Sequence, residues 1–265
     1  YSHDKLVLYA LLLCLVSIIV RLVYGIYCKQ NFEECKFRFR ADKQLLKEMF
    51  GFAGWNFIGA SSSIIREQGS NILLNLFFGP AVNAAKGLAV TVNAAITGFS
   101  GNFMTAVNPQ IYKSFSGGER DYTMKLVFES TRLSYYIFIL IGLPIIVTAP
   151  YLLNLWLGNV PEHTVNFVRL VIIFSMSESL AGPLLTLCYA TGKIKIYQLI
   201  IGTLQILNIP ITYIFLYLSF PPEVAYLVSI AISILCEFAR LVILRKTAEL
   251  NIGAFLKKVY INIII

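Results

Sequence analysis

Two charged residues in the middle of a long apolar stretch restrict the folds open to this chain more than any other feature. Residues 45–113 predict two long apolar helices that meet at Gly79-Pro80, and the first of them carries Arg66 and Glu67 partway along. If Lys47 lies at one membrane face and Gly79-Pro80 at the other, both charges lie near the midplane, because about 20 helical residues cross the hydrocarbon core. Ionisable groups at that depth cost roughly 2.5–3.5 kcal/mol on the insertion scale and normally face a bundle interior or a wet cavity. We therefore take Arg66 and Glu67 as the candidate functional centre.

The composition is that of an integral membrane protein. Of the 265 residues, 57 % are hydrophobic and only 14 % are charged, and the mean hydropathy is +0.72. Soluble domains usually carry about 25 % charged residues. The chain has no starting methionine, its first apolar run begins at Lys5, and it ends on the apolar run YINIII. We therefore expect it to be the interior of a longer polytopic chain.

Apolar runs of spanning length predict an all-α fold with about seven transmembrane helices. The predicted ranges are 5–28, 44–78, 82–113, 123–150, 164–190, 195–218 and 223–245. Pro144, Pro183 and Pro210 lie inside these ranges, and we expect each to kink or break its helix, since proline removes a backbone donor.

The basic residues are concentrated in every second connection between the predicted helices. One set of connections carries nearly all of them, and the other set carries essentially Lys5 alone. Such one-sidedness is typical of the cytoplasmic face, so it predicts cytoplasmic segments at 29–43, near 116 and near 193. The net charge of +8 is then explained by topology and by contact with anionic membrane lipids, and no nucleic-acid partner is expected. The segment 29–43 is the predicted basic linker before a helical unit at 44–245, and residues 246–265 repeat this character.

Several polar side chains in the spans are candidates for substrate contact, and each has a structural alternative. Arg66 can line a cavity for an anionic headgroup or form a buried ion pair with a neighbouring helix. Lys86 can contact a phosphate or extend to the membrane interface. Asn71 and Asn75 are four residues apart and share a helix face, where they can bind a polyhydroxylated substrate such as a sugar or serve helix packing.

Two carboxylates are candidates for ion coupling. Glu67 lies next to Arg66, and Glu178 lies near the centre of its span among serines. A satisfied structural carboxylate is the alternative for both. Glu237 and Arg240 are three residues apart on one helix, so we expect them to pair with each other.

No catalytic, metal or cofactor pattern is present in the sequence. It contains no GxSxG, Walker loop, HExxH or paired-carboxylate pattern. The five cysteines, Cys14, Cys28, Cys35, Cys188 and Cys236, form no CxxC and no metal-ligand spacing. We therefore expect no enzyme activity, no cofactor and no metal.

One stretch, REQGSNILLNLFFGPAVNAAKGLAVTVNAAITGFSGNFMTAVNPQIYKSFSGGE, resembles a known transporter family. It is similar to the polysaccharide-export branch of the multidrug/oligosaccharidyl-lipid/polysaccharide (MOP) exporter superfamily, and in particular to bacterial O-antigen and capsule repeat-unit flippases. The features that carry the resemblance are Arg66-Glu67, the FFGPAVNAAKG turn and NPQIYKSFSGGE. The similarity extends over about residues 40–258 and is most specific at 66–119.

The resemblance implies a fold and a function. Members have two helical lobes around a central cavity, so residues 1–28 would be the last helix of the N-terminal lobe, 44–245 the six-helix C-terminal lobe, and 246–265 a linker and the start of a further helix. Such proteins move undecaprenyl-pyrophosphate-linked oligosaccharide across the bacterial inner membrane by alternating access, driven by an H+ or Na+ gradient. Arg66 would then face the pyrophosphate-sugar, with Glu67 and Glu178 as coupling residues, and the N-terminal lobe of the same chain would complete the cavity.

Two other functions remain open at this point. A multidrug/cation antiporter of the same superfamily (MATE type) is expected to have a more acidic and aromatic cavity. A membrane-embedded enzyme of polysaccharide assembly usually places its catalytic groups in a large external loop, and the longest predicted external connection, 151–163, is short for that purpose.

Overall fold

Residues 5–32 and 42–264 are described by the computed structural model, and every regular element in these ranges is helical, with no strand. The chain divides into two units, residues 1–48 and 49–265. In the first unit, helix α1 spans Lys5–Asn31, and nearly all its described side chains are exposed, as suits a helix whose surroundings are lipid. Most of the predicted linker at 29–43 lies outside the described residues.

The predicted helix pair around Gly79-Pro80 is confirmed. Helix α2 spans Lys43–Phe78 and helix α3 spans Pro80–Ser116. Gly79 has a φ of 81°, a left-handed conformation that favours glycine, and Pro80 occupies the first turn of α3, where its missing N–H leaves no bond unmade.

Helices α4 and α5 span Arg120–Leu157 and Thr164–Ala190. The predicted end of α4 at 150 is wrong, since the helix continues through Pro150 for almost two more turns. Pro150 cannot donate to the carbonyl of Ile146, and the Arg169 side chain of α5 does so instead, with Nε 3.1 Å from that oxygen. A side chain from a neighbouring helix thus supplies the missing donor.

The sixth predicted range contains two helices, α6 at Ile194–Ile206 and α7 at Asn208–Tyr217. Pro210 explains the interruption at Leu207, because its ring excludes the bond to the carbonyl of Ile206. A kink or break was expected at this proline, and the helix is interrupted here. Helices α4 and α5 continue past Pro144 and Pro183, so they are not broken there. Helix α8 spans Val224–Thr247, and the chain continues through α9 at Ile252–Phe255, a π-helical turn at Leu256–Ile261 and α10 at Asn262–Ile264.

Among the described residues, five segments are long and apolar enough to cross a membrane: Val7–Asn31, Arg120–Leu157, Thr164–Ala190, Ile194–Tyr217 and Val224–Thr247. The chain is therefore an all-α protein with the character of a multi-pass membrane protein. Helices α2 and α3 are not among the five, because polar and small residues lower their hydropathy. The predicted total of seven spans stays a prediction.

Helix α5 lies at the centre of the second unit. It packs against α3, α4 and α8, and α8 also packs against α6 and α7. Helix α2 approaches α6 and α7 at glycines. The Gly202 position lies against the Ser62 side chain, Gly59 lies against the Gln198 amide, and Gly69 lies against Ile209. Small residues at such contacts are usual where helices pack in lipid.

Candidate functional site

A cavity of about 200 Å³ lies among α2, α3, α5 and α8, and we call it the cationic cavity. Its lining residues are Arg66, Glu67, Ser70, Lys86, Val90, Asn93, Val171, Phe174, Ala225, Tyr226 and Ser229. Arg66, Glu67 and Lys86, which the sequence analysis selected separately, therefore lie around one space.

Arg66 is half-buried in this cavity. Its guanidinium carbon lies 5.0 Å from the centre of the Phe174 ring, within the range of a cation–π contact. In the part of the chain that the structure describes, no carboxylate lies within 4 Å of the guanidinium. Glu67 lines the same cavity but is largely exposed. Arg66 thus directs its charge toward the cavity, with an aromatic face beside it.

Lys86 is 6 % exposed, so other side chains enclose it. Its ammonium donates a hydrogen bond to Ser70 Oγ at 3.0 Å and lies 5.7 Å from the centre of the Tyr226 ring. A lysine is rarely buried without a charged partner, and here a hydroxyl and an aromatic face are its described contacts. The ammonium has two further N–H groups that a ligand can accept.

Asn93 is a cavity residue that the sequence did not distinguish from the other asparagines nearby. Its Nδ2 donates to Ser175 Oγ at 2.8 Å, while its Oδ1 is buried without a hydrogen-bond partner among the described residues. Nothing in the sequence separates Asn93 from the other asparagines of α2 and α3, so its place in the cavity could not be predicted.

A second cavity, of about 380 Å³, lies among α2, α5, α6 and α8, and we call it the amide cavity. Its polar lining residues are Asn56, Ser63, Glu178, Tyr189, Tyr197, Gln198, Gln205 and Arg240, and the rest are small or aliphatic. Gln198 donates to Asn56 Oδ1 at 3.2 Å, which joins α6 to α2. This cavity was not predicted, because its residues come from four separate parts of the sequence.

The guanidinium of Arg240 contacts the charged and polar side chains on one side of the amide cavity. Arg240 is 3 % exposed, donates to Glu237 Oε2 at 3.1 Å and to Tyr197 Oη at 3.0 Å, and has Nη2 3.8 Å from Glu178 Oε2. Ser233 Oγ donates to the other oxygen of Glu178. The predicted pair of Glu237 and Arg240 is confirmed, and Glu178 belongs to the same cluster.

The remaining candidates, Asn71, Asn75 and Glu178, lie apart from the cationic cavity. Asn71 is half-buried and donates to Gln68 Oε1 at 3.3 Å, and Asn75 is exposed. Neither lines the cationic or the amide cavity. Glu178 lies in the amide cavity rather than beside Arg66.

A polar cluster at the first turn of α5 joins His163 and Asn166 to Glu223, which precedes the segment Val224–Thr247. Glu223 Oε1 accepts from Asn166 Nδ2 at 2.9 Å and lies 2.8 Å from His163 Nδ1. Burial raises the pKa of the Glu223 carboxyl, but the hydrogen bonds from Asn166 and His163 outweigh it, so the pKa is lower than the ordinary value of 4.5.

The described residues contain no group of three or more histidine, cysteine or acidic side chains that would hold a metal ion. Comparisons with protein-family models, with curated proteins and with solved structures give no match.

Proposed function

We propose that this chain contains, at residues 44–245, the C-terminal lobe of a flippase that moves undecaprenyl-pyrophosphate-linked oligosaccharides across the bacterial inner membrane by alternating access. The observation that carries the proposal is the cationic cavity, in which Arg66 and Lys86 face one small space without an ion-pair partner among the described side chains.

The charge of this cavity selects its ligand. The buried ammonium of Lys86 and the half-buried guanidinium of Arg66 favour an anion, since an unpaired charge in a low-dielectric site is costly. A pyrophosphate offers several acceptor oxygens to the guanidinium fork of Arg66 and to the ammonium of Lys86. The volume of about 200 Å³ is below the usual 300–1,000 Å³ of small-molecule sites. It therefore suits a headgroup whose lipid tail remains in the membrane.

The acidic candidates suit a coupling role in this cycle. Glu67 lines the cationic cavity, and Glu178 shares Arg240 with Glu237 in the amide cavity. Two carboxylates around one guanidinium carry a net negative charge when all are ionised, and binding H+ or Na+ neutralises it. Either ion can thus be released and rebound as the two lobes alternate.

Two other functions are less well supported. An antiporter of organic cations would be favoured by Tyr189, Tyr197 and Glu178 in the amide cavity, but Arg240 lies against that carboxylate and opposes a cationic ligand. An assembly enzyme is disfavoured because the connection between α4 and α5 shortens to residues 158–163.

The test is complementation of a flippase-deficient strain with the full natural chain. Arg66→Ala and Lys86→Ala are each expected to reduce surface glycan severely, because a charge-assisted hydrogen bond contributes about 1.5–3 kcal/mol, or roughly 10- to 100-fold in affinity. Lys125→Ala removes a cation whose side chain is 71 % exposed and serves as the matched control. Normal glycan export in both cavity variants, at wild-type membrane levels, would refute the proposal.

A further inference from the structure

The lining of the amide cavity differs in kind from that of the cationic cavity. It presents the side-chain amides of Asn56, Gln198 and Gln205 and the hydroxyls of Ser63 and Tyr189. An amide offers two donors and a carbonyl acceptor. After the bond between Gln198 and Asn56, each of these two side chains keeps donor and acceptor capacity. Paired donors and acceptors at close spacing match the hydroxyl groups of a sugar.

The charges in the amide cavity favour a neutral ligand. Arg240 already contacts Glu237, Glu178 and Tyr197. An anion would have to compete with two carboxylates for the guanidinium, and an organic cation, which is larger than H+ or Na+, would have to approach the guanidinium itself. A polar molecule without charge meets neither obstacle.

The volume of the amide cavity and the packing around Gln198 are those of a ligand-binding site. The volume of about 380 Å³ falls within the usual range for small-molecule sites. Gly59 lies directly beneath the Gln198 amide, and a Cβ at this position would overlap it. A glycine here is what allows the amide to reach Asn56 and form part of the lining.

The two cavities lie along the same face of α2. Asn56, Gly59, Ala60 and Ser63 line the amide cavity, and Arg66, Glu67 and Ser70 line the cationic cavity, at the three- and four-residue spacing of one helix face. Ser63 and Arg66 are about 4.5 Å apart along the axis, and the midpoints of the two groups are about 13 Å apart. A ligand with an anionic group and an adjoining short glycan can extend along this face.

We propose that the amide cavity binds the neutral glycan of the ligand whose anionic group occupies the cationic cavity. This inference rests on the proposed function, to which it adds the location of the sugar site.

The experiment measures binding of defined lipids to the purified full chain in detergent. The probes are farnesyl pyrophosphate alone and farnesyl pyrophosphate linked to a trisaccharide, either of hexoses or of N-acetylhexosamines. We expect at least one glycan-bearing probe to bind about tenfold or more tightly than the sugar-free probe. Asn56→Ala and Gln205→Ala should each bring that ratio close to one without changing the affinity for the sugar-free probe. Gln110→Ala, an exposed amide outside both cavities, should leave the ratio unchanged.

The outcomes separate the two proposals. Equal affinities for all three probes in the wild type, or an unchanged ratio in both cavity variants, would overturn the glycan site while leaving the cationic cavity intact. Failure of the sugar-free probe to bind, or binding that Arg66→Ala does not weaken, would overturn the proposed function. The affinity for the sugar-free probe also reports whether a variant is folded. Gln205→Ala is the milder of the two substitutions, because Asn56→Ala also removes the acceptor of the Gln198 hydrogen bond.

Discussion

Arg240→Met should be strongly destabilising, because the guanidinium is the only cation that the structure shows against two carboxylates in the described part of the second unit. The arginine is 3 % exposed and Glu237 is 5 % exposed. At an effective dielectric constant of about 20, unit charges at the observed 3.1 Å and 3.8 Å attract by about 5 and about 4 kcal/mol before desolvation is subtracted. The Glu178 side chain is 29 % exposed, so solvent screens part of its share. Removing one partner of a buried pair leaves the other charge buried, and we expect a loss of about 3–5 kcal/mol in the free energy of unfolding.

The assay is denaturant unfolding in detergent micelles at pH 7, followed by circular dichroism. The double variant Glu237→Gln/Arg240→Met should recover much of the loss, because it removes the buried carboxylate together with its partner. Lys125→Met, at an exposed position, should change stability by less than about 0.5 kcal/mol. A loss below about 1 kcal/mol for Arg240→Met, or a double variant as unstable as the single one, would contradict the assignment of a buried charge cluster.

Three further substitutions test local features by the same unfolding measurement. Gly59→Ala should cost about 0.5–1.5 kcal/mol, because the new Cβ displaces the end of the Gln198 side chain and breaks its hydrogen bond to Asn56. Gly54→Ala, in open space on the same helix, should be neutral or stabilising. Arg169→Leu should cost about 1–3 kcal/mol because it leaves a carbonyl of α4 without a donor; a change near zero would contradict this. Glu223→Gln should be destabilising near neutral pH, and the difference in stability from wild type should shrink as the pH falls below 4.5. The folded protein lowers the pKa of this carboxyl, so the ionised carboxylate stabilises the fold at a pH above the pKa of the unfolded state. This stabilisation is lost as the pH falls through the pKa of the folded state and the carboxylate is protonated. A constant difference across this range would exclude the Glu223 charge as the cause.

The sequence predicted helix positions well where backbone chemistry marks the ends. Gly79-Pro80 combines a residue of positive φ with a proline that starts a helix, so the boundary between α2 and α3 could be predicted from these two residues. The predicted end of α4 at residue 150 was too early, because a side chain from α5 supplies the donor that Pro150 lacks and the helix continues. Such compensation depends on a residue distant in sequence, so local patterns do not contain it.

The candidate site was predictable only in part, for a similar reason. Arg66 and Lys86 were found because a charge in an apolar run is conspicuous whatever surrounds it. The amide cavity was not found, since Asn56, Gln198 and Gln205 are each unremarkable in sequence and acquire their relation only when α2 lies against α6. Asn71 and Asn56 are both asparagines in the apolar sequence of α2, so the sequence does not separate them. In the structure, Asn71 is outside both cavities.

The contact between α2 and α6 links both cavities to the proposed transport cycle, because α2 lines each of them. Ser62 Cβ lies 3.5 Å from the position of a Cβ at Gly202, within the range of about 3.5–4.5 Å that a disulfide requires. Ser62→Cys/Gly202→Cys should therefore form a disulfide on oxidation and fix α2 against α6. If transport by alternating access requires these helices to separate, export should stop in the oxidised protein and return on reduction, while Ser62→Cys alone should be insensitive to oxidation. Full export with the disulfide formed would show that this contact stays closed throughout the cycle.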